Sequence, residues 1–177
     1  VIYTLEILNL PFTGPSTKLY DPPKELMKYL AYCEGVKTPG YVIINELRDA
    51  EEAAKHSKFP LFVKPAKAGD SLGVDEHSLV HNKIELQQKC ITILDEYGPL
   101  LVEEYIDGRE FTVLVAANVD IHSCTVFRPV EYLFPEGRAF KTYALKTSEL
   151  HPDCNVPCND PELEKQLRLA TEKIFKG

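Results

Sequence analysis

Residues 59–74 read FPLFVKPAKAGDSLGV and residues 100–115 read LLVEEYIDGREFTVLV. In the first, Leu61–Pro65 is a short apolar run of strand type whose fourth residue is Lys64. A lysine there projects from a rigid element into whatever lies at the strand's end. The small-residue loop AKAGDSLG comes next, and its core is Gly69-Asp70-Ser71-Leu72-Gly73. Glycines let a backbone approach a polyphosphate, and successive N–H groups can form an anion nest. In the second stretch, Glu103, Glu104, Tyr105 and Ile106 close an apolar strand, and Glu110 lies seven residues after Glu103. Adjacent carboxylates on a strand face opposite ways, one inward and one outward. On local sequence alone, a phosphate loop competes with an ordinary mobile turn. A base-binding hinge likewise competes with a solvated strand end.

Working outward, Asp21 and Pro22 mark a helix start, and Leu26, Leu30 and Cys33 recur at helical spacing up to Gly35. Tyr41–Ile44 reads as a strand and the region of Asp49–His56 as a helix. Asn82 and Glu85 have capping-box spacing, and Leu86, Cys90, Leu94 and Tyr97 form one helical face. Glu110–Asn118 and Ile121–Val130 alternate in strand fashion about a turn at Asn118-Val119-Asp120. A further strand is predicted near Phe140–Lys146, and a last helix capped by Asp160 and Pro161 presents Leu163, Leu167, Ala170 and Ile174. Helices interleaved with a partly antiparallel sheet predict an α+β fold in two small lobes, with a seam near Pro99.

The 177 residues carry a net charge of −7, with 44% hydrophobic and 27% charged residues. This is the composition of a soluble globular chain, and the negative charge disfavours nucleic acid as a partner. No apolar run has the length of a membrane span. Five cysteines, Cys33, Cys90, Cys124, Cys154 and Cys158, form no metal motif, so reduced thiols and a cytoplasmic setting are expected.

The two quoted stretches, in this order and one helix apart, resemble the signature segments of the D-alanine–D-alanine ligases within the ATP-grasp superfamily. LPFTG (10–14) is similar to the segment with which that family leaves its N-terminal domain, and KELMKYLAYCEGVKTP (24–39) to the first helix of its central domain. The resemblance implies an ATP-grasp fold: a remnant of the N-terminal domain at 1–23, a central lobe at 24–102, and the first part of the C-terminal lobe at 103–177, with the nucleotide cleft between the lobes. It implies a carboxylate–amine ligase in which ATP phosphorylates a carboxylate and an amine attacks the acyl phosphate. Lys24 and Lys64 match the phosphate lysines, and Gly69, Asp70, Ser71 and Gly73 lie in the loop over the β- and γ-phosphates. Glu103 matches the acceptor for the adenine amino group, and Glu104, Tyr105 and Ile106 belong to the adenine edge. Glu110 matches the ribose-binding glutamate, and Lys146 in YALKT (143–147) a lysine reaching toward the terminal phosphate. The Mg2+ ligands are expected downstream of Gly177, so residues 1–177 are expected to bind nucleotide without ligating. The remaining expected partners are a small amino acid, amine or carboxylate substrate and a second copy in a homodimer, with no nucleic acid and no membrane.

Two departures bear on substrate. Asp70 stands where the family has an orienting serine, and Thr147 where it commonly has a tyrosine. They leave open a non-catalytic nucleotide-binding or regulatory protein, or an ATP-grasp small-molecule kinase. A carboxylate beside phosphates needs a compensating cation, and Lys67 is the nearest in sequence. Residues 67–73, with two glycines and few apolar anchors, are expected to be loosely held without nucleotide. His77 and His81 read as surface residues, and Phe127, Tyr132, Phe134 and Phe140 as core and lobe-interface residues.

Overall fold

The structure, a computed structural model, describes all residues except 19, 21, 119, 121–122 and 148–152. A helix α1 (Ile2–Ile7) precedes α2 (Lys24–Cys33), β1 (Tyr41–Ile44), α3 (Leu47–His56) and β2 (Leu61–Pro65). After a 3-10 turn at Glu76–Ser78 come β3 (Leu79–Val80), α4 (Lys83–Tyr97) and β4 (Leu100–Glu104). Next in the chain are strands β5 (Glu110–Thr112), β6 (Val115–Ala117), β7 (Cys124–Val126) and β8 (Val130–Tyr132), then α5 (Tyr143–Thr147), β9 (Asn155–Pro157) and α6 (Pro161–Lys176).

The first sheet has the order β1-β4-β2-β3, and every pairing in it is antiparallel. Strands β1 and β2 run parallel to each other but are split by β4, so the sheet is antiparallel throughout rather than partly so. Side-chain alternation gives this sheet two different faces. Leu61, Val63, Leu100 and Val102 turn toward α3 and α4 and bury with Ile44, Ala50, Ala53, Leu86, Cys90 and Ile93. Phe62, Lys64, Leu101 and Glu103 occupy the other face, paired Phe62 with Glu103 and Lys64 with Leu101. Strand β4 stays in this sheet through Glu104. The second part consists of a three-stranded sheet β5-β8-β9 and a two-stranded sheet β6-β7, on which α6 rests.

Most helix ends obey local chemistry. The Asn82 side chain accepts from the Ile84 and Glu85 amides at 3.0 and 3.1 Å, and that of Asp160 from Glu162 and Leu163 at 3.1 and 3.0 Å. At the end of α2, Gly35 (φ 68°) turns the chain in the left-handed region, and the Val36 amide returns to the Ala31 carbonyl at 2.8 Å. The expected cap at Asp21 lies outside the described residues; Pro23 holds the N-cap position of α2.

Beyond the sheet's fully antiparallel pairing, the structure differs from the sequence expectation in several places. The strand predicted near Phe140–Lys146 is helix α5, because Ala144, Leu145 and Lys146 favour helix and the Thr142 hydroxyl accepts the Leu145 amide at 3.2 Å. The two long strands predicted at 110–118 and 121–130 are four short ones, since β5 and β6 pair with different neighbours. Their connecting turn lies partly outside the described residues. The Leu26 and Cys33 face of α2 is exposed, and the face turned inward carries Lys24, Lys28 and Ala31. Phe127 is an exposed side chain rather than a core one.

Candidate functional site

Lysine 64 and Glu103 share the free face of the first sheet because each sits at the same parity of its strand. Across the β2–β4 register they are diagonal neighbours, and their side chains form an ion pair. From α2, Lys28 completes the set, with its Nζ 2.7 Å from Glu103 Oε2 and 2.9 Å from the Pro39 carbonyl. Glu103 is thus a nearly buried carboxylate held between two ammonium groups. Lys24, one turn before Lys28 on the same helix face, donates from Nζ to the Ala68 carbonyl at 2.6 Å, at the entrance of the glycine loop.

The loop closes on itself. The Leu72 amide donates to the Gly69 carbonyl and the Val74 amide to the Ser71 carbonyl, each at 3.0 Å. Asp70 and Ser71 have φ of 52° and 60° and Gly73 has 72°. A Cβ on Gly73 would stand 2.7 Å from Pro65 Cγ and 3.2 Å from the Tyr97 ring, so that position requires glycine for space as well as for dihedral. Among the described residues no ion pair joins Asp70 to Lys67.

The second part folds over this face. The Phe140 ring meets Phe62 edge-on at 4.9 Å between centroids, and Phe62 stacks on Tyr105 at 6.4 Å. Burial and the nearby Asp107 hold the Tyr105 phenol above its ordinary pKa. The Tyr143 amide donates to the Val74 carbonyl at 3.2 Å, and Arg138 pairs with Glu76. Glu110, at the start of β5, lies 3.4 Å from Lys141 Nζ, and that ammonium stands 3.8 Å from the centre of the Tyr132 ring. Arg109 binds Glu131 through two bonds of 2.7 Å, which holds the Glu131 carboxyl below the usual carboxylate range.

Between the two parts lies a cleft of about 650 Å³. Its lining contains Lys24, Lys64, Gly69, Asp70, Ser71, Glu103, Glu104, Tyr105, Ile106, Glu110 and Lys146, which are the residues singled out in the sequence except Gly73. Gly73 acts at one remove, as the tight turn behind the loop. A second cavity of about 520 Å³ shares Asp70, Lys141 and Lys146 with the first and adds Tyr132, Tyr143, Thr147 and Asn155. Sequence reasoning missed Lys28, Lys141 and Lys89. For Lys28 a signal existed, the one-turn spacing from Lys24. Lys141 and Lys89 reach their partners only through long-range packing. His77 and His81 are exposed, and among the described residues no group of three or more His, Cys, Asp or Glu is placed to hold a metal ion. No helix among them is long and apolar enough to cross a membrane.

Residues 34–177 match the family model described as D-ala D-ala ligase C-terminus. The D-alanine–D-alanine ligase of Marinomonas sp. is 32% identical over 176 residues, covering 98% of this chain and 53% of the relative. The structure is similar to that of the VanG D-Ala:D-Ser ligase from Enterococcus faecalis, with a TM-score of 0.72 and 24% identity over 97% of this chain and 49% of the other. It is also similar to a D-alanine–D-alanine ligase from Bacillus anthracis complexed with ATP, with a TM-score of 0.64 and 21% identity over 99% of this chain and 54% of the other. These structural likenesses establish the ATP-grasp fold. The chain spans about half the length of the curated relatives it matches.

Proposed function

The chain belongs to the D-alanine–D-alanine ligase family, and from that membership we propose that the complete protein is an ATP-dependent carboxylate–amine ligase in which these residues form the nucleotide clamp. The observation that carries this reading is the convergence of Lys24, Lys64, Glu103, Glu110 and Lys146 on one cleft from five separate elements. The cleft's volume lies in the range of small-molecule sites. Its groups fit a nucleoside triphosphate: acceptors at Glu103 and Glu110 for base and ribose, and lysines with a small-residue loop for phosphates.

Bound ATP supplies the phosphoryl group that activates a carboxylate. The chain's own contribution is orientation and charge. Lys64 leaves Glu103 for phosphate, while Lys28 keeps the carboxylate compensated as it turns to the base. Lys24 exchanges the Ala68 carbonyl for a phosphate oxygen, and Lys146 serves the junction of the two cavities. We infer that the substrate occupies the second cavity, where Asp70 sets a carboxylate at the junction that an ammonium group on the substrate, in addition to that of D-alanine, would meet alongside Lys141 and Lys146.

The test is phosphate release by the complete protein with ATP, Mg2+ and a panel of amino acids and small amines, wild type beside Asp70→Ser. ATP turnover that depends on an amino acid is expected, with cationic substrates favoured and that preference lost in Asp70→Ser. ATP binding without turnover on any of them would overturn the ligase reading. D-alanine as best substrate with an indifferent Asp70→Ser would overturn the substrate class.

A further inference from the structure

The glycine loop is gripped at both ends by lysines from different helices. At its entrance Lys24 of α2 holds the Ala68 carbonyl. At its exit Lys89 of α4 holds the Gly73 carbonyl at 3.1 Å and Asp75 Oδ1 at 2.8 Å. The two grips are unlike. Lys24 faces the cleft, whereas the Lys89 side chain is 2% exposed and lies on the core face of α4, between Leu86, Cys90 and Ile93.

An apolar side chain would fill such a position at lower cost, because burying an ammonium is expensive unless its donors are met. Here two of its three donors are met, by the backbone at the loop's exit and by the Asp75 carboxylate, which also organises the adjoining 3-10 turn. Asp75 Oδ1 accepts the His77 amide at 2.9 Å, and the Asp75 amide donates to the Ser78 hydroxyl oxygen at 3.0 Å. The same exit is fixed by the contact of Gly73 with Pro65 and Tyr97, and by the Tyr143 amide on the Val74 carbonyl. Gly69 to Leu72 lie between the two grips.

We propose that Lys89 is a positioning residue for the nucleotide clamp: it pins the exit of the glycine loop, so that the loop closes over phosphates by swinging about Gly73 when Lys24 releases the Ala68 carbonyl. The proposal rests on the nucleotide-clamp reading above. Lys89 itself touches no nucleotide. Its effect is confined to ligands that use the loop, since Glu103 and Glu110 stand on β4 and β5 and Tyr105 directly follows β4.

The experiment is calorimetric titration of the complete protein with ATP and, separately, with adenosine, which lacks the phosphates. Wild type is compared with Lys89→Met, Lys89→Arg and Asp75→Asn. Lys89→Met is expected to weaken ATP about tenfold, from loss of a charged hydrogen bond, with adenosine affinity unchanged. Lys89→Arg, which restores the cation, should recover most of the loss. Asp75→Asn, at a half-exposed side chain, should move ATP affinity in the same direction and serves as the test should Lys89→Met not fold. Equal weakening of both ligands would reduce Lys89 to a structural residue and overturn the proposal, as would ATP affinity unchanged in the variants. Failure of wild type to bind either ligand would instead overturn the clamp reading, and this proposal with it.

Discussion

Glu103 shows how one residue's neighbourhood decides what it can do. Its carboxylate is nearly buried, and that is tolerable because Lys28 and Lys64 stand on either side of it. Replacing it with alanine would leave two ammonium groups facing each other with little water between them. We expect Glu103→Ala to lower the unfolding free energy by about 2–3 kcal/mol, a figure reduced from the fully buried case because Lys64 is partly exposed. Chemical denaturation of the variant measures it, and a midpoint unchanged from wild type would show that the ion pairs contribute nothing net. Lys64 and Glu103 are legible in the sequence as a lysine and a carboxylate near the ends of two apolar strands. Their pairing is not, because it depends on the β2–β4 register.

At the scale of elements, the glycine loop is defined by what holds its ends rather than by its composition. Two glycines and few apolar side chains suggest a loosely held segment, but its exit is fixed by the left-handed Gly73 and its approach to Pro65. Gly73→Ala would place a Cβ against the proline ring in a dihedral region unfavourable to it. A loss of about 2 kcal/mol or more is expected, together with weaker ATP binding. Thermal unfolding and nucleotide titration of the same variant check both halves, and a fully stable variant would mean that the loop exit yields easily. Helix α5 is the element that side-chain alternation does not decide. Alternating Tyr143, Leu145 and Thr147 suit a strand as well as a helix, and the choice falls to the Thr142 cap and the packing of Leu145 in the interior.

For the whole molecule, stability should fall on both sides of neutrality. Glu131 is lowered chiefly by its bond from Arg109, Glu85 by the His81 amide and Glu52 by Lys55. Carboxyls whose folded pKa is depressed contribute stability above their unfolded value, and that contribution is lost as pH falls through the folded value. On the alkaline side, burial raises the Cys90 thiol to about 11. Its contribution is present below the unfolded thiol value of about 8.5 and is lost as pH rises through the folded one. Denaturant midpoints should therefore drop from neutral pH toward about pH 3 and again above about pH 9, with Glu131→Gln flattening the acid arm; a flat profile would contradict the assigned causes. Sequence alone gives the helices and strands α2, β1, α3, β2, α4 and β4 in order, and the α+β class, from periodicity and capping residues that are short-range in the chain; the candidate residues and the family come from the resemblance of two local motifs. Only the tertiary structure decided that β4 inserts between β1 and β2, that Lys28 and Lys64 share one carboxylate, that Lys141 meets Glu110, and that a buried Lys89 grips the loop. The side-chain pairs among these join residues far apart in the chain, a range over which packing, not local propensity, chooses the partner.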